Sequence, residues 1–414
     1  MALKFRKKII LVKPEGTYAV DAVPTGAANA ILALDVEVQP LNGEALRRGV
    51  VKPYLGQVPA LMVGLHSKIS FGIEFAGSGV AGTPPKYGPL LRACAMAETA
   101  YTGAATIMTG PPRNVGAPTG AFTYAKGAAF TGHLNRTVTL TCTTGGGSGV
   151  AQFTVAAPAI GNLAVYNQVG VVMTNAAAFA LPNGATITPT VGTAFAVNDA
   201  FEIDLTAPRV EYMPVSAGEE SATTYLNIDG QLHKMLGCRG NVRASISSNG
   251  FPRLNFELIG LFVDPTSSAA PTPDYTGFRD PKPANAANTV LFTIHGYAAK
   301  LASLDLDLGN QVRYRGLVNS ENVEMTDRAG TGRCVIDAPA LTDKNFFTIS
   351  KAGTRAALQY IHGLTGGDCI QIDAPQAQIE APQYGNDQGT VTLEMPLGLI
   401  PTDTGNDELK LTVK

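Results

Sequence analysis

The chain has 414 residues, of which 45% are hydrophobic and 15% charged, so it can bury a sizeable core and is not disordered. Its formal net charge of −2 argues against a protein that grips nucleic acid through a basic face. The 45 glycines and 27 prolines mark many turns, and with short apolar runs between them they favour an all-β protein.

The N-terminal segment is basic over residues 4–8, and the apolar run that follows covers only residues 9–12. This run is too short for a signal peptide or a membrane span. We therefore expect the chain to be made and kept in the cytoplasm, without a membrane. The five cysteines lie far apart without a CxxC pair, so we expect reduced, buried thiols.

The first part of the chain alternates apolar and polar residues with the period of two that is typical of half-buried strands. This alternation covers residues 32–38 and 69–75. Further along, it returns at residues 304–308, 370–372 and 391–395. The sequence therefore predicts strands that bury one face and expose the other to water.

A glycine-rich segment and a helical pattern follow the second of these strands. Residues 77–82 match the G-x-G-x-x-G dinucleotide fingerprint, but prolines at 84–85 fall where free N–H groups should bind phosphate. We interpret this segment as a turn. The best helical pattern covers residues 86–98, with Pro89 in its first turn.

The middle of the chain, residues 103–206, is rich in Ala, Thr and Gly and poor in charge. Residues 136–155 read as a strand, a Gly-rich turn and a strand, and residues 184–188 and 199–204 predict further strands. A loop of this length without structure would be unusual. We therefore expect a small inserted β-sandwich of Ig-like size.

A Pro-rich linker over residues 265–287 predicts a second boundary. The two sides of this linker resemble each other in order. Residues 31–38 resemble 301–308, and residues 255–262 resemble 392–399. Each half also has one short helix pattern, the second near residues 342–350 with Thr342 as its expected cap. Together these echoes indicate a duplicated β domain.

The sequence offers no catalytic or metal-binding constellation. The five histidines are isolated, and no G-x-S-x-G elbow or P-loop is present. Alternating carboxylates such as Asp305 and Asp307 could act in acid–base chemistry, but alternation places them on the wet face of a strand. We expect no enzyme activity, no cofactor and no metal.

Three stretches resemble the tail tube protein family of long-tailed bacteriophages. The first combines residues 13–18 (KPEGTY) with 82–94 (GTPPKYGPLLRAC). The second runs from YLNIDG at 225–230 through GCRGNV to FELIGL at 256–261. The third extends from residue 354 to GNDEL at 405–409. The resemblance covers most of the chain outside about 103–206, which departs from the family pattern.

The resemblance implies a mainly β protein with two tandem tail-tube domains of sandwich or barrel form, each with a short flanking helix. We assign 1–102 with 207–264 to the first domain and 288–414 to the second. The small β-sandwich at 103–206 would be inserted in the first domain and lie on the exterior.

The resemblance also implies a structural virion protein that stacks as rings into a tail tube, the channel for DNA. Six domains make a ring in single-domain members, so three of these chains should form a trimeric ring with pseudo-sixfold symmetry. Its partners would be the tape measure protein inside the tube, the tail terminator and distal tail proteins, and DNA in transit without sequence-specific binding.

Two sets of residues are candidates for roles in such a tube. Acidic wet-face positions, expected to line the lumen and repel DNA, are Asp35, Glu37, Asp305 and Asp307. The family's long loop stacks each ring on the next, and its counterparts here are residues 39–66 and 310–332. Arginines on these segments, expected to contact the neighbouring ring, are Arg47, Arg48, Arg313 and Arg315.

Two other functions remain open from the residues alone. One is a virion- or cell-surface protein whose insertion binds carbohydrate or adheres, although the insertion has no Trp and few Tyr. The other is a β-rich hydrolase, for which no nucleophile–base pair is evident.

Overall fold

The computed structural model describes residues 3–160 and 163–414, with only the backbone of residues 104 and 105. The expected first domain and insertion therefore include four positions, 1–2 and 161–162, that lie outside the described residues. The protein is mainly β, as the sequence predicts, with short helices. None of the described helices is long and apolar enough to cross a membrane.

The first part of the fold contains ten strands and two helices on either side of an insertion. They are β1 (Lys8–Pro14), α1 (Gly26–Asn29), β2 (Ala30–Ile31), β3 (Leu34–Arg47), β4 (Ala60–Glu74), α2 (Gly88–Ala93) and β5 (Met96–Tyr101) before it. After it, with their labels counting on from the insertion, come β14 (Arg209–Pro214), β15 (Ala222–Ile228), β16 (Gln231–Ser247), β17 (Arg253–Phe262) and β18 (Thr266–Ser267).

The insertion supplies eight strands. They are β6 (Arg113–Val115), β7 (Ala121–Lys126), β8 (Arg136–Thr144), β9 (Gln152–Ala157), β10 (Tyr166–Val172), β11 (Phe179–Ala180), β12 (Thr186–Thr193) and β13 (Ala200–Leu205). They form a five-stranded sheet, β10-β9-β8-β13-β6, and a three-stranded sheet, β11-β12-β7. A separate apolar core, rich in edge-to-face phenylalanines such as Phe122 and Phe201, lies among them.

The C-terminal part contains eleven strands and one helix. They are β19 (Thr289–Ile294), β20 (Tyr297–Ala298), β21 (Leu301–Asp307), β22 (Asn310–Leu317), β23 (Ser320–Arg328), β24 (Thr331–Asp337), α3 (Phe346–Lys351), β25 (Arg355–His362), β26 (Ile370–Ile379), β27 (Gln383–Asp387), β28 (Thr390–Leu399) and β29 (Lys410–Val413).

The strand pairings repeat between the two parts. The order β2-β1-β15-β16-β17-β4-β3 in the first part matches β20-β19-β25-β26-β28-β24-β21 in the second. Corresponding residue pairs are Ile10↔Leu226 and Ile294↔Leu358, Met235↔Phe262 and Ala377↔Leu399, Phe71↔Phe256 and Ile336↔Leu393, and Val38↔Ile69 and Leu304↔Cys334. We call these two parts the first and second repeats.

The registers also test the sequence echoes that suggested the duplication. The echo of 255–262 in 392–399 is in register, because Phe262 and Leu399 occupy matching positions. The echo of 31–38 in 301–308 is four positions out, because Val38 corresponds to Leu304. Alternating strands resemble one another at every even shift, which explains the error.

The two repeats share one sheet and one core. Strand β16 of the first pairs with β21 of the second over five residue pairs, Arg243↔Asp307 to Ser247↔Ser303. A second junction joins β14 to β29. One apolar cluster runs through both repeats, from Ile10 to Val413. The linker also packs on the first repeat, since Asp274 N donates to Gly26 O at 3.0 Å.

Both expected helices are shorter than the sequence pattern suggests. Helix α2 ends at Ala93 because Ala95 adopts a positive φ of 55° and β5 begins at Met96. The cap of α3 is Asn345, whose side chain accepts a hydrogen bond from Thr348 N, and not the expected Thr342.

Candidate assembly surfaces

Eight strands form one extended antiparallel sheet with a polar face. Their order is β3-β4-β17-β16-β21-β24-β28-β27, so four come from each repeat. Side chains such as Phe71, Leu254 and Leu304 point from one face into the core and are almost fully buried. Their neighbours along each strand point to the opposite face. No other described sheet covers that face.

The polar face carries more carboxylates than cations. By alternation and register, the acidic side chains on or at the edge of this face are Asp35, Glu37, Glu74, Glu257, Asp305, Asp307, Asp387 and Glu394. The basic ones are Lys68, Arg243, Arg253 and Arg333, and a Lys300–Asp337 pair lies at the margin. The surplus is four negative charges for each chain.

All four sequence-predicted acidic residues therefore lie on or beside this face, but most have partners. Asp305 lies 3.8 Å from Arg243, and Asp35 lies 3.5 Å from Arg253. Asp307 accepts hydrogen bonds from Asn241 Nδ2 at 2.6 Å and from Gly309 N at 2.8 Å. Sequence analysis identified the carboxylates but not the arginines opposite them. The pairing register between two strands cannot be inferred from the sequence of one strand.

Arg333 and Glu394 form the tightest pair on the face. Their closest N···O distance is 2.5 Å, and the guanidinium donates to both carboxylate oxygens. These hydrogen bonds lower the pKa of the Glu394 carboxyl. Because both groups are solvent-exposed, the pair aligns β24 with β28 more than it adds stability.

The two outermost strands of this sheet have free edges. In the part of the chain that the structure describes, β3 pairs only with β4, and β27 pairs only with β28. Every residue of β27 is exposed. A groove of about 580 Å³ lies over β3, β4 and β17, lined by Phe5, Lys68 and Glu257 among others. Such unpaired edges are templates for another strand.

The two segments expected to be long loops are β-hairpins. The first arm, residues 42–66, extends β3 and β4 as a paired ribbon as far as Arg47↔Ala60. The second arm, residues 310–328, is the β22–β23 hairpin. The register matches them, because Glu44↔Val63 corresponds to Asn310↔Arg328.

The four candidate arginines all lie on these arms. Arg47 Nη1 donates to Val58 O at 2.9 Å, and Arg315 pairs with Glu324 across the hairpin at 3.2 Å. These two therefore already brace their own hairpins. Arg48 and Arg313 are exposed.

The second arm packs against the first repeat. Val323 is fully buried there, its N–H donates to Tyr18 Oη at 2.6 Å, and its carbonyl accepts from Arg239 Nη1 at 3.0 Å. The Tyr314 ring stacks on His66 with centroids 5.0 Å apart. No feature of the sequence indicates this contact, since Tyr18 and Val323 are 305 positions apart.

The described residues hold no group of three or more His, Cys, Asp or Glu side chains placed to bind a metal ion. All five cysteines are free and buried, which confirms the expected thiols. The glycine-rich turn is a packing contact, because a Cβ on Gly77 would lie 1.9 Å from Gly367 O. That close approach of two backbones accounts for the glycines without a nucleotide.

Comparison with known proteins identifies the family of the chain. A family model described as phage tail tube protein matches residues 6–395. No curated protein matches the chain. The family match spans both repeats and the insertion. Since the family is that of phage tail tube proteins, the chain is a structural component of the virion tail. The protein belongs to the phage tail tube protein family.

Proposed function

We propose that three chains close into a ring through their free sheet edges, and that rings stack into the tube through which DNA passes. The observation that carries this proposal is the β16–β21 junction, where one repeat already pairs with the next inside the chain. The same junction, repeated between chains, joins β27 of one chain to β3 of the next. The eight-stranded sheet of each chain then has no free edge in the ring.

The internal junction sets the register of the proposed joint. Arg243 and Ser245 of β16 correspond to Gly385 and Asp387 of β27, because β27–β28 repeats the pairing of β16–β17. Asp305 of β21 corresponds to Gln39 of β3. Since Ser245 pairs with Asp305, Asp387 of one chain should lie opposite Gln39 of the next.

A ring of three chains has a barrel of 24 strands, eight from each chain. At a strand spacing of about 4.8 Å, its backbone circle would be roughly 37 Å across before any strand tilt. The polar face lines this channel, since the opposite face is the core of each chain. Its surplus of carboxylates repels the phosphates of DNA. DNA therefore passes through without binding, because no counterions are released.

In this proposal the insertion lies outside the tube wall. The domain boundaries are those expected from the sequence: the first tube domain is 1–102 with 207–264, the insertion 103–206, the linker 265–287 and the second tube domain 288–414. Its two ends leave the main body side by side, because Tyr101 pairs directly with Arg209. The tape measure protein would occupy the lumen during assembly in the host cytoplasm. Terminator and distal tail proteins would cap the tube, and Arg48 and Arg313 would face the adjacent ring. The chain would have no enzyme activity.

The mass and symmetry of an isolated ring test the proposal. Native mass spectrometry should give three times 43.1 kDa, and images of tubes should show threefold symmetry with six similar lobes. Rings of six full chains, or purified protein that never forms rings, would contradict it.

A further inference from the structure

The two arms occupy equivalent positions in the two repeats, but their apolar side chains differ in burial. In the second arm Val323 is fully buried against the first repeat. In the first arm Leu46 is 61% exposed and Leu61 is 69% exposed, with Met62 and Val63 also exposed. Side chains of this kind on a paired ribbon are unusual unless another surface covers them.

The second arm shows where an arm docks. It leaves β21 and lies back over β16 and β17 of the preceding repeat in the same sheet. Its contacts there include Val323 with Tyr18 and Arg239, Tyr314 with His66, and a hydrogen bond from Asn310 Nδ2 to Gly240 O at 3.0 Å. An arm therefore binds the repeat to which its own strand is joined.

The second repeat has an open groove at the matching place. It measures about 700 Å³, and Thr331, Gly398, Leu399 and Glu380 are part of its lining. The first three correspond to His66, Leu261 and Phe262, which lie at the ends of the strands beneath the second arm. No other described segment of the chain fills this groove.

We propose that the first arm of one chain docks into this groove on the second repeat of its neighbour in the same ring. The occupant is a second copy of this chain. Only the joint between β27 and β3 brings the undocked first arm of one chain next to the open groove of its neighbour. The inference rests on the proposed ring and specifies how its subunits are fastened side by side. It assigns the ribbon of the first arm to a lateral contact and leaves only its tip, with exposed Val51, Tyr54 and Leu55, for the next ring.

The expected contact can be named from the correspondence of residues. Leu46↔Leu61 corresponds to Val312↔Met325, because the bulge at Thr326 has no counterpart in the first arm. Val323 therefore corresponds to Pro59, and Arg239 corresponds to Ala381. Pro59 of one chain should lie near Ala381 of its neighbour. Glu380 beside Ala381 also offers a negative charge to the ribbon of the first arm, which carries Arg47.

A cross-linking experiment on assembled tubes tests this contact. A chain carrying both Pro59→Cys and Ala381→Cys is treated with a short bis-maleimide. The five native thiols are buried and should not react with it. Denaturing electrophoresis should show cross-linked dimers and trimers with nothing larger, because a lateral contact closes on itself after three chains. Each single-cysteine variant is the control and should stay monomeric.

Two other outcomes would overturn the inference. A ladder extending beyond trimers would mean that the first arm bridges rings. Absence of cross-links in tubes where a Gln39→Cys, Asp387→Cys pair does cross-link would mean that the ring joint is right and the arm is placed elsewhere. If neither pair reacts, or no tubes form in the unmodified protein, the proposed function itself fails.

A charge substitution gives an independent measurement. Leu61→Asp should raise the protein concentration needed for ring assembly at least tenfold, while the melting temperature of the monomer stays unchanged because Leu61 is exposed there. Val169→Asp is the matched control, since Val169 is 71% exposed on β10 of the insertion. Equal effects of the two substitutions would contradict docking of the first arm.

Discussion

Replacing Asn386 with proline should prevent ring closure without unfolding the chain. Strands β27 and β28 are joined by a two-residue turn, Gln388 and Gly389, both with positive φ. In such a hairpin the flanking pair exchanges both main-chain hydrogen bonds, and alternate residues do the same. Tyr384 and Asn386 therefore direct their N–H and C=O groups to the free edge.

The strength of the joint follows from these groups. The internal β16–β21 junction uses matching positions, since Leu308 N donates to Val242 O at 3.1 Å. In the proposed joint, Asn386 lies opposite Pro40 of the next chain. Pro40 has no N–H, so Tyr384 and Asn386 would make three bonds and not four. Each contributes about 0.5–1.5 kcal/mol net. Proline at 386 removes one bond and crowds the edge, a loss of about 1–2 kcal/mol at each joint.

Such a loss corresponds to roughly a tenfold weaker joint, and it acts at all three joints of a ring. Sedimentation or light scattering over a protein dilution series would measure assembly, and thermal unfolding would report on the monomer. The control is Asn386→Ala, which keeps the N–H but loses the side-chain bond to Gly389 N. Assembly of the proline variant at the wild-type concentration would refute the assigned edge.

Three further changes test other surfaces. Replacing residues 106–206 with a short Gly/Ser linker should still give tubes, thinner in electron micrographs; insoluble protein would contradict a separate insertion. Asp305→Lys should leave tubes intact but slow DNA delivery, most at low salt; unchanged delivery would place it outside the lumen. Arg328→Ala leaves the carboxylate of Glu408 buried and unpaired, so unfolding in denaturant should show a loss of about 3–5 kcal/mol.

A fifth prediction concerns pH. Burial lowers the pKa of Lys414 from 10.5 to about 8, so the folded chain holds fewer protons than the unfolded chain between these values. The contribution of Lys414 to the unfolding free energy should therefore rise with pH from about 8 to 10.5. The advantage of Lys414→Met over wild type in denaturant unfolding should shrink across this window; a constant difference would contradict it.

The strands with one buried face could be predicted from the sequence. Residues 69–75 and 304–308 alternate because one side of each strand meets the core and the other meets water. The first arm could not be predicted, because residues 41–47 of β3 are almost all exposed and a ribbon without a buried face has no hydrophobic period. The sequence pattern predicts a loop there for that reason.

The candidate surfaces were partly predictable. Alternation alone indicated that Asp305 and Asp307 share a face, but the facing Arg243 comes from a strand more than fifty positions away. The free edge of β27 had no sequence signal, because whether a strand is an edge depends on every other pairing in the sheet. The predicted end of α2 was wrong because the chain turns early to form β5. The predicted start of α3 was wrong because Asn345, and not Thr342, caps the helix.

The covalent joining of two repeats changes the kinetics of tube growth. Three of the six junctions around a proposed ring form when each chain folds, as the β16–β21 pairing does here. Closing a ring then requires encounters among three molecules instead of six, and fewer molecules lose their translational and rotational freedom. Ring formation should therefore depend on a lower power of protein concentration, so that nucleation remains efficient while the subunit is still scarce early in infection.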